Sequence, residues 1–323
     1  MALNTDDSAG KATPSEGARM SRATVRLAMV ALQQQYALDE NVAFEVLRDA
    51  SQRHNVKLRM LAGKMVSSPV TRPPRRPGPA PTLPFTAGGR SCANYGEVLS
   101  ELMRVAVSRA GADRGSVQLR DPVHGGLQIE GKRGFGQGFV DAFSYVGAHG
   151  TPCGRAFDAG NQTVVTDVES SPLFDESARA TLLAHEVRSC VSTPILDTDG
   201  MVRGIVSSHH SRREAVPTDA ELRQIRVLAN QSGRWLEWYD QTVLPAAVAA
   251  AYDAAADRAG QSRITAPADP ATIAAASRLL TDRYGVDPEH ARDVLETIAA
   301  QRGLSLVELA ARLSNGAAQP RKR

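Results

Sequence analysis

Apolar positions along this chain alternate between a helical and a strand period. From Ser21 to Val66 they recur every three or four residues. Val25, Met29, Leu32 and Tyr36 share one stripe. Ala43, Val46, Leu47 and Ala50 share a second, and Leu58, Leu61, Ala62 and Met65 a third. That period belongs to amphipathic helices. It predicts helices over roughly Ser21–Tyr36, near Glu40–Ala50 with Asp39 as N-cap, and near Val56–Val66. Val98, Leu102, Val105 and Ala106 are again helically spaced. The period then falls to two. Ser116–Arg120 alternates through Val117 and Leu119, and Leu127 and Ile129 alternate after the turn Pro122–Gly126. Thr163–Thr166, Cys190–Leu196 and Met201–Ser208 read as further short strands, with Asp197-Thr198-Asp199-Gly200 as a hairpin turn. Hairpin strands bracketed by helices predict an α+β domain with a mainly antiparallel sheet.

A further helix is expected after Pro217-Thr218-Asp219. Leu222, Ile225, Ala229, Ser232, Leu236 and Tyr239 step along it at heptad spacing, with a serine at one core site. This stripe suits either a helix closing the sheet domain or a dimer seam. Trp235 lies off the stripe, where it would pack back on the sheet. After Pro245, Ala246–Ala256 has high helix propensity.

The first helical pattern returns at the other end of the chain. A shift of 248 residues places Ala28 on Ala276, Leu32 on Leu280, Ala43 on Ala291, Leu47 on Leu295, Leu58 on Leu306 and Ala62 on Ala310. Charge separates the copies. Arg19–Val66 holds eight Lys and Arg against four Asp and Glu, whereas Ala271–Ser314 holds five against six. Five of the eight cations fall between Arg48 and Lys64, against the single acid Asp49. The first copy therefore suits a polyanion and the second something else.

These patterns divide the chain of 323 residues into segments. Residues 1–18 read as a disordered tail, 19–68 as the basic helical module and 69–90 as a linker. Residues 91–241 form the sheet domain, 242–270 a helical linker, 271–315 the second module and 316–323 a basic tail. The linker holds seven prolines, so it should be extended and stiff. A net charge of +3 argues for no partner by itself. Cys92, Cys153 and Cys190 are odd in number and widely spaced, unlike a disulfide framework or a zinc cluster. The first residues do not resemble a signal peptide, and no apolar run reaches membrane-spanning length. A cytoplasmic protein with no membrane partner is expected.

The string Ala43-Phe44-Glu45-Val46-Leu47-Arg48-Asp49-Ala50-Ser51-Gln52-Arg53-His54-Asn55-Val56-Lys57-Leu58-Arg59-Met60-Leu61-Ala62 resembles the centre of the ANTAR domain, matching it at Ala43, Phe44, Leu47, Arg48, Ser51, Asn55, Lys57, Leu58 and Ala62. The resemblance implies a three-helix RNA-binding module of antitermination regulators, which dimerise and hold paired hairpins in nascent transcripts. Arg26, Arg48, Arg53, Asn55, Lys57, Arg59 and Lys64 are the candidate RNA contacts. The chain departs from the family in its first helix, where Met29 stands in place of the usual lysine. The second copy keeps the apolar skeleton but has Glu296, Ala299, Gly303 and Ser305 where the first has Arg48, Ser51, Asn55 and Lys57. It reads as a degenerate copy suited to assembly.

The middle domain resembles a GAF domain over about 95–240. The resemblance rests on Leu119–Pro122, Arg133-Gly134-Phe135, Gly150–Ala156, Val165–Val168 with Pro172-Leu173-Phe174, and Val187–Leu196. It implies a six-stranded or similar antiparallel sheet backed by helices, with a pocket that in some relatives holds a small ligand. The fold expected is therefore α+β, a central GAF-type antiparallel sheet with flanking helices between two three-helix ANTAR-like modules. Cys153, at an expected helix start beside Arg155, is a candidate redox sensor, with His149 four residues before it; the alternative is a packing role. Paired His209 and His210 suit packing or surface better than haem ligation. No phosphate-cradling loop, metalloprotease motif or nucleophile–base pair stands out, so no catalytic residue and no metal ligand is assigned, and the cofactor stays open.

The function expected is an RNA-binding antitermination regulator, a homodimer that senses a signal through the GAF domain. The alternative is a small-molecule or redox sensor whose helical modules contact only proteins.

Overall fold

The computed structural model describes residues 15–67, 78–147, 150–265, 270–284, 287, 290–301, 306 and 309–310. At the amino terminus α1 (Glu16–Tyr36), α2 (Glu40–Arg53) and α3 (Leu58–Ser67) follow the expected periodicity. Asp39 caps α2 by accepting the Val42 N–H at 2.9 Å, satisfying one of the donors that a helix start leaves unpaired. Ala28, Leu32, Ala43, Leu47, Leu61 and Ala62 are completely buried. One boundary is corrected. Glu16, Gly17 and Ala18, assigned to a disordered tail, are helical. The Gly17 N–H donates to Ser144 Oγ at 3.2 Å, and a Cβ on Gly17 would collide with the Ser144 carbonyl. A tertiary contact holds this first turn. Residues 1–14 of the expected tail lie outside the described residues.

The sheet domain contains α4 (Tyr95–Arg109), β1 (Arg114–Arg120), β2 (Leu127–Arg133), α5 (Gln137–Ala142), β3 (Tyr145–Val146), α6 (Pro152–Ala159), β4 (Thr163–Val165), α7 (Glu176–Ala184), β5 (Ser189–Leu196) and β6 (Val202–His210). The six strands lie in the order β3-β2-β1-β6-β5-β4, and every neighbouring pair is antiparallel. Alternation in β1 predicts one wet face, yet five consecutive residues of β1 are buried. Both faces are covered. Gly115 lies against Val107 and Met103 of α4. A core elsewhere joins Leu127, Cys190 and Ile205 of the sheet to Phe139, Ala156 and Leu182 of α5, α6 and α7.

The long α8 (Asp219–Thr265) closes the domain. Ile225, Ala229, Ser232, Leu236 and Tyr239 of the heptad stripe are all buried. At Gly233 the helix lies so close to Leu196 that a Cβ would overlap its carbonyl oxygen. The stripe is thus used within the protomer rather than left as a free seam. Trp235 is buried and stacks on Tyr239 at 5.2 Å between ring centres, with Tyr95 at 6.4 Å. Pro245 sits inside the helix, which therefore runs through the boundary expected at residue 241. Of the linker, residues 69–77 lie outside the described residues. In the remainder Phe85 is buried, and the Gly78 carbonyl accepts the Trp238 indole N–H at 2.8 Å.

The chain separates into two compact units. One contains α1–α3, the sheet with its helices and α8 as far as Tyr252. The other contains Tyr36–Leu38 and the chain from Asp253, with α9 (Pro270–Tyr284) and α10 (Ala291–Gln301). In the second unit Ala276, Leu280, Leu295, Ala299, Leu309 and Ala310 form a core. Ala276, Leu280, Leu295 and Ala310 are the repeat equivalents of Ala28, Leu32, Leu47 and Ala62, which are buried in the first unit. The third helix of the second copy falls largely outside the described residues, and so do Gly303, Ser305 and the tail at 316–323.

Candidate nucleic-acid interface

The corner between α2 and α3 is built by local chemistry. The Ser51 hydroxyl donates to the Val56 carbonyl at 2.6 Å, pinning the turn. Asn55 has a φ of 51°, in the left-handed region where asparagine is tolerated better than most residues. Its carbonyl accepts the Tyr239 hydroxyl at 3.2 Å. Ser51 and Asn55, two of the motif residues, thus have structural duties. The others divide: Ala43, Leu47 and Ala62 are core, whereas Phe44 and Arg48 are exposed.

The candidate RNA contacts do not share one environment. Arg26 on α1, Arg48 and Arg53 on α2, and Asn55 at the corner are exposed. The pair of Arg48 with the adjacent Asp49, at 3.4 Å, is solvent-exposed and weak. Asn55 and Lys57 line an open groove of about 330 Å³, with Ser51, Gln52 and the start of α4 at Asn94–Gly96. Lys64 lies on the wall of a larger groove of about 490 Å³ that also includes Arg120, Arg203 and Asp240.

Lys57 and Arg59 are engaged from the sheet. Lys57 Nζ donates to Glu130 at 2.6 Å, and Arg59 pairs with the other oxygen of the same carboxylate. The Arg59 side chain is only 16 % exposed and that of Glu130 only 3 %. Arg59, a candidate RNA contact from sequence, thus has its guanidinium largely buried against an acid of its own chain. Burial, and then the like charge of Arg59, hold the Lys57 ammonium's pKa below its ordinary value. Glu130 owes its aim to a β-bulge. Val117 pairs with Gly131 and Gln118 with Ile129, leaving Glu130 as the extra residue of β2.

The other face of the sheet holds a small cavity of about 20 Å³. Ser116, Gln118, Ser192, Ser207 and His209 give it a polar floor, and Phe143, Cys153 and Cys190 add to its wall. Ser192 and Ser207 share a hydrogen bond at 2.9 Å. Burial drives the His209 pKa down to about 3, and His210 also lies below its ordinary value. Phe135 and Phe139 meet the His209 ring edge-on at 5.1 and 5.9 Å between centres. Both histidines are buried packing residues.

Cys153 does sit in the first turn of α6, N-capped by Thr151. Even so, burial raises its pKa and outweighs the hydrogen bonds from Thr151 and Gly154. The reactive thiolate expected there is disfavoured. Burial pushes Cys190 up to about 12. His149 lies outside the described residues. Among the described residues no group of three or more His, Cys, Asp or Glu is placed to hold a metal ion, and no described helix is long and apolar enough to cross a membrane.

Fold and site define a helical module with exposed basic residues joined to an α+β sheet domain containing a small pocket. Residues 16–66 match the ANTAR domain family and residues 94–234 the GAF domain family. The chain carries an ANTAR domain followed by a GAF domain, an RNA-binding and a sensor region, both regulatory rather than catalytic in kind. Among solved structures it is similar to the GAF domain/HD domain protein from Geobacter sulfurreducens, at 19 % identity over 45 % of this chain and 93 % of that one, with a TM-score of 0.38. It is also similar to the Thermosynechococcus elongatus PixJ GAF domain in its blue-light absorbing form, at 18 % identity over 45 % and 88 % with a TM-score of 0.37. A third is the type II free methionine-R-sulfoxide reductase from Thermoplasma acidophilum, at 14 % identity over 44 % and 97 % with a TM-score of 0.33. At these values no shared ligand or activity follows. No curated protein matches the chain.

Proposed function

We propose that the chain is a cytoplasmic transcription antitermination regulator. Its first helical module binds hairpins in nascent RNA, and its GAF domain adjusts that binding in response to a signal. The observation that carries this reading is the exposure of Arg26, Arg48, Arg53 and Asn55 on a module that matches the ANTAR family. Phosphates would take the guanidinium groups, and unstacked loop bases would take hydrogen bonds from side chains such as Asn55. The second copy, with Glu296 in place of Arg48, acts in assembly of a homodimer.

A filter-binding titration with a labelled RNA of two stem-loops tests the reading. Arg48→Ala with Arg53→Ala should weaken binding without changing helix content. Unchanged affinity would remove these residues from the interface.

A further inference from the structure

Several contacts between the amino-terminal module and the sheet are polar or small, beside apolar ones such as Met60 near Leu119 and Leu236. Gly17 lies on Ser144. Ser21 donates to Gln128 at 3.3 Å, and the Gln128 amide donates onward to Asp121 at 2.6 Å. Thr24 meets His124 at 3.2 Å, and Gly63 sits against Pro122. A charged attachment is the Glu130 carboxylate, which holds both Lys57 and Arg59.

We propose that Glu130 is a clasp that regulates the RNA site, a role that rests on the RNA-binding reading above. The carboxylate and an RNA phosphate would compete for the same two cations. In the clasped state Arg59 is largely buried, and Lys57, though partly exposed, is already paired with an acid. Full RNA engagement therefore requires α3 to leave β2, and apparent affinity falls by the fraction of molecules that remain clasped. The bulge that aims Glu130 adjoins Gln118 and Ile129, and Gln118 also lines the cavity on the sheet. The clasp is built on the strand pair that carries the sensor's floor.

Two substitutions open the clasp by different routes. Glu130→Gln keeps the side chain's shape but removes the charge, leaving Asp121 as the remaining acid acting on the buried Arg59. Gly17→Ala leaves every charge in place and places a methyl group against the Ser144 carbonyl. Alanine is also the better helix former, so α1 itself is not weakened. Each full-length variant is examined by amide hydrogen exchange over Glu16–Thr24 and Leu127–Arg133, and by titration with the two-stem-loop RNA. Both variants should exchange faster in these segments and bind RNA at least tenfold tighter than the parent chain. Unchanged exchange overturns the clasp, whatever the RNA does. Faster exchange with RNA affinity equal to the parent's overturns the competition while leaving the RNA reading intact. Faster exchange with no RNA bound by any of the three proteins overturns the RNA reading and the competition with it.

Discussion

The Tyr239 hydroxyl donates to the Asn55 carbonyl at 3.2 Å, tying α8 of the sensor to the corner where α3 begins. The bond joins residues 184 positions apart and fixes a corner whose backbone is in the left-handed region. Tyr239→Phe removes the donor and strands that carbonyl beside the buried ring. Such a loss costs about 1 kcal/mol, measurable by urea unfolding. No change would mean that water replaces the hydroxyl freely.

The φ of Asn55 separates its backbone role from any RNA role. Asn55→Gly should hold stability nearly constant, because glycine adopts this conformation without strain. Asn55→Ala should cost about 1 kcal/mol. Both should lose RNA affinity alike if the amide contacts RNA. An alanine variant as stable as the glycine variant would contradict the assigned conformation.

His209 makes stability depend on pH in a stated direction. Its folded pKa of about 3 lies below its ordinary value, so the unfolded chain binds the proton first. The contribution is whole above about pH 6.5 and is lost as pH falls toward 3. At pH 5 the loss is about 2 kcal/mol. Denaturant unfolding at pH 7 and pH 5 should show a steeper fall for the parent chain than for His209→Gln. Equal falls would show that the ring is not held neutral.

Cys190 is buried and Cys153 half-buried, and both thiols have raised pKa values. The folded protein at pH 7 should react slowly with an aromatic disulfide reagent, and all three cysteines should react once the chain is unfolded. Rapid labelling of Cys153 in the folded chain would restore it as a redox sensor.

Leu47 and Leu295 occupy equivalent places in the two copies and are both fully buried. Each Leu→Ala exchange should destabilise its own unit by about 2–5 kcal/mol. Only Leu47→Ala should affect RNA binding. A loss of RNA affinity from Leu295→Ala would give the second copy a part in recognition.

Much of this architecture was legible because burial imposes a period. The helical stripes of α1–α3 and the 248-residue repeat both follow from cores made of the same small and apolar residues. The hairpins were legible from alternation and from Gly200 in its turn. The two-residue β3 and the short α5–α7 are too brief for a period to register. The heptad stripe of α8 was ambiguous because a sheet and a second helix ask for the same spacing. Glu130 was missed for another reason. A single acid on a strand reads as a solvated side chain, and the bulge that turns it inward depends on pairing with β1. The adjacent Gly131 was the available signal, since glycine inside a strand often marks a bulge. The choice between exposed and clasped cations was invisible, because Lys57 and Arg59 meet their partner more than seventy residues away.

The most direct measurement is the affinity of the intact chain for a two-stem-loop RNA across salt, from about 50 to 200 mM, beside the Arg48→Ala, Arg53→Ala double variant. The account predicts steep loss of affinity with salt, and a slope flattened by about one for each phosphate contact removed. Absent or salt-independent binding, in the parent chain and in Glu130→Gln alike, would contradict it.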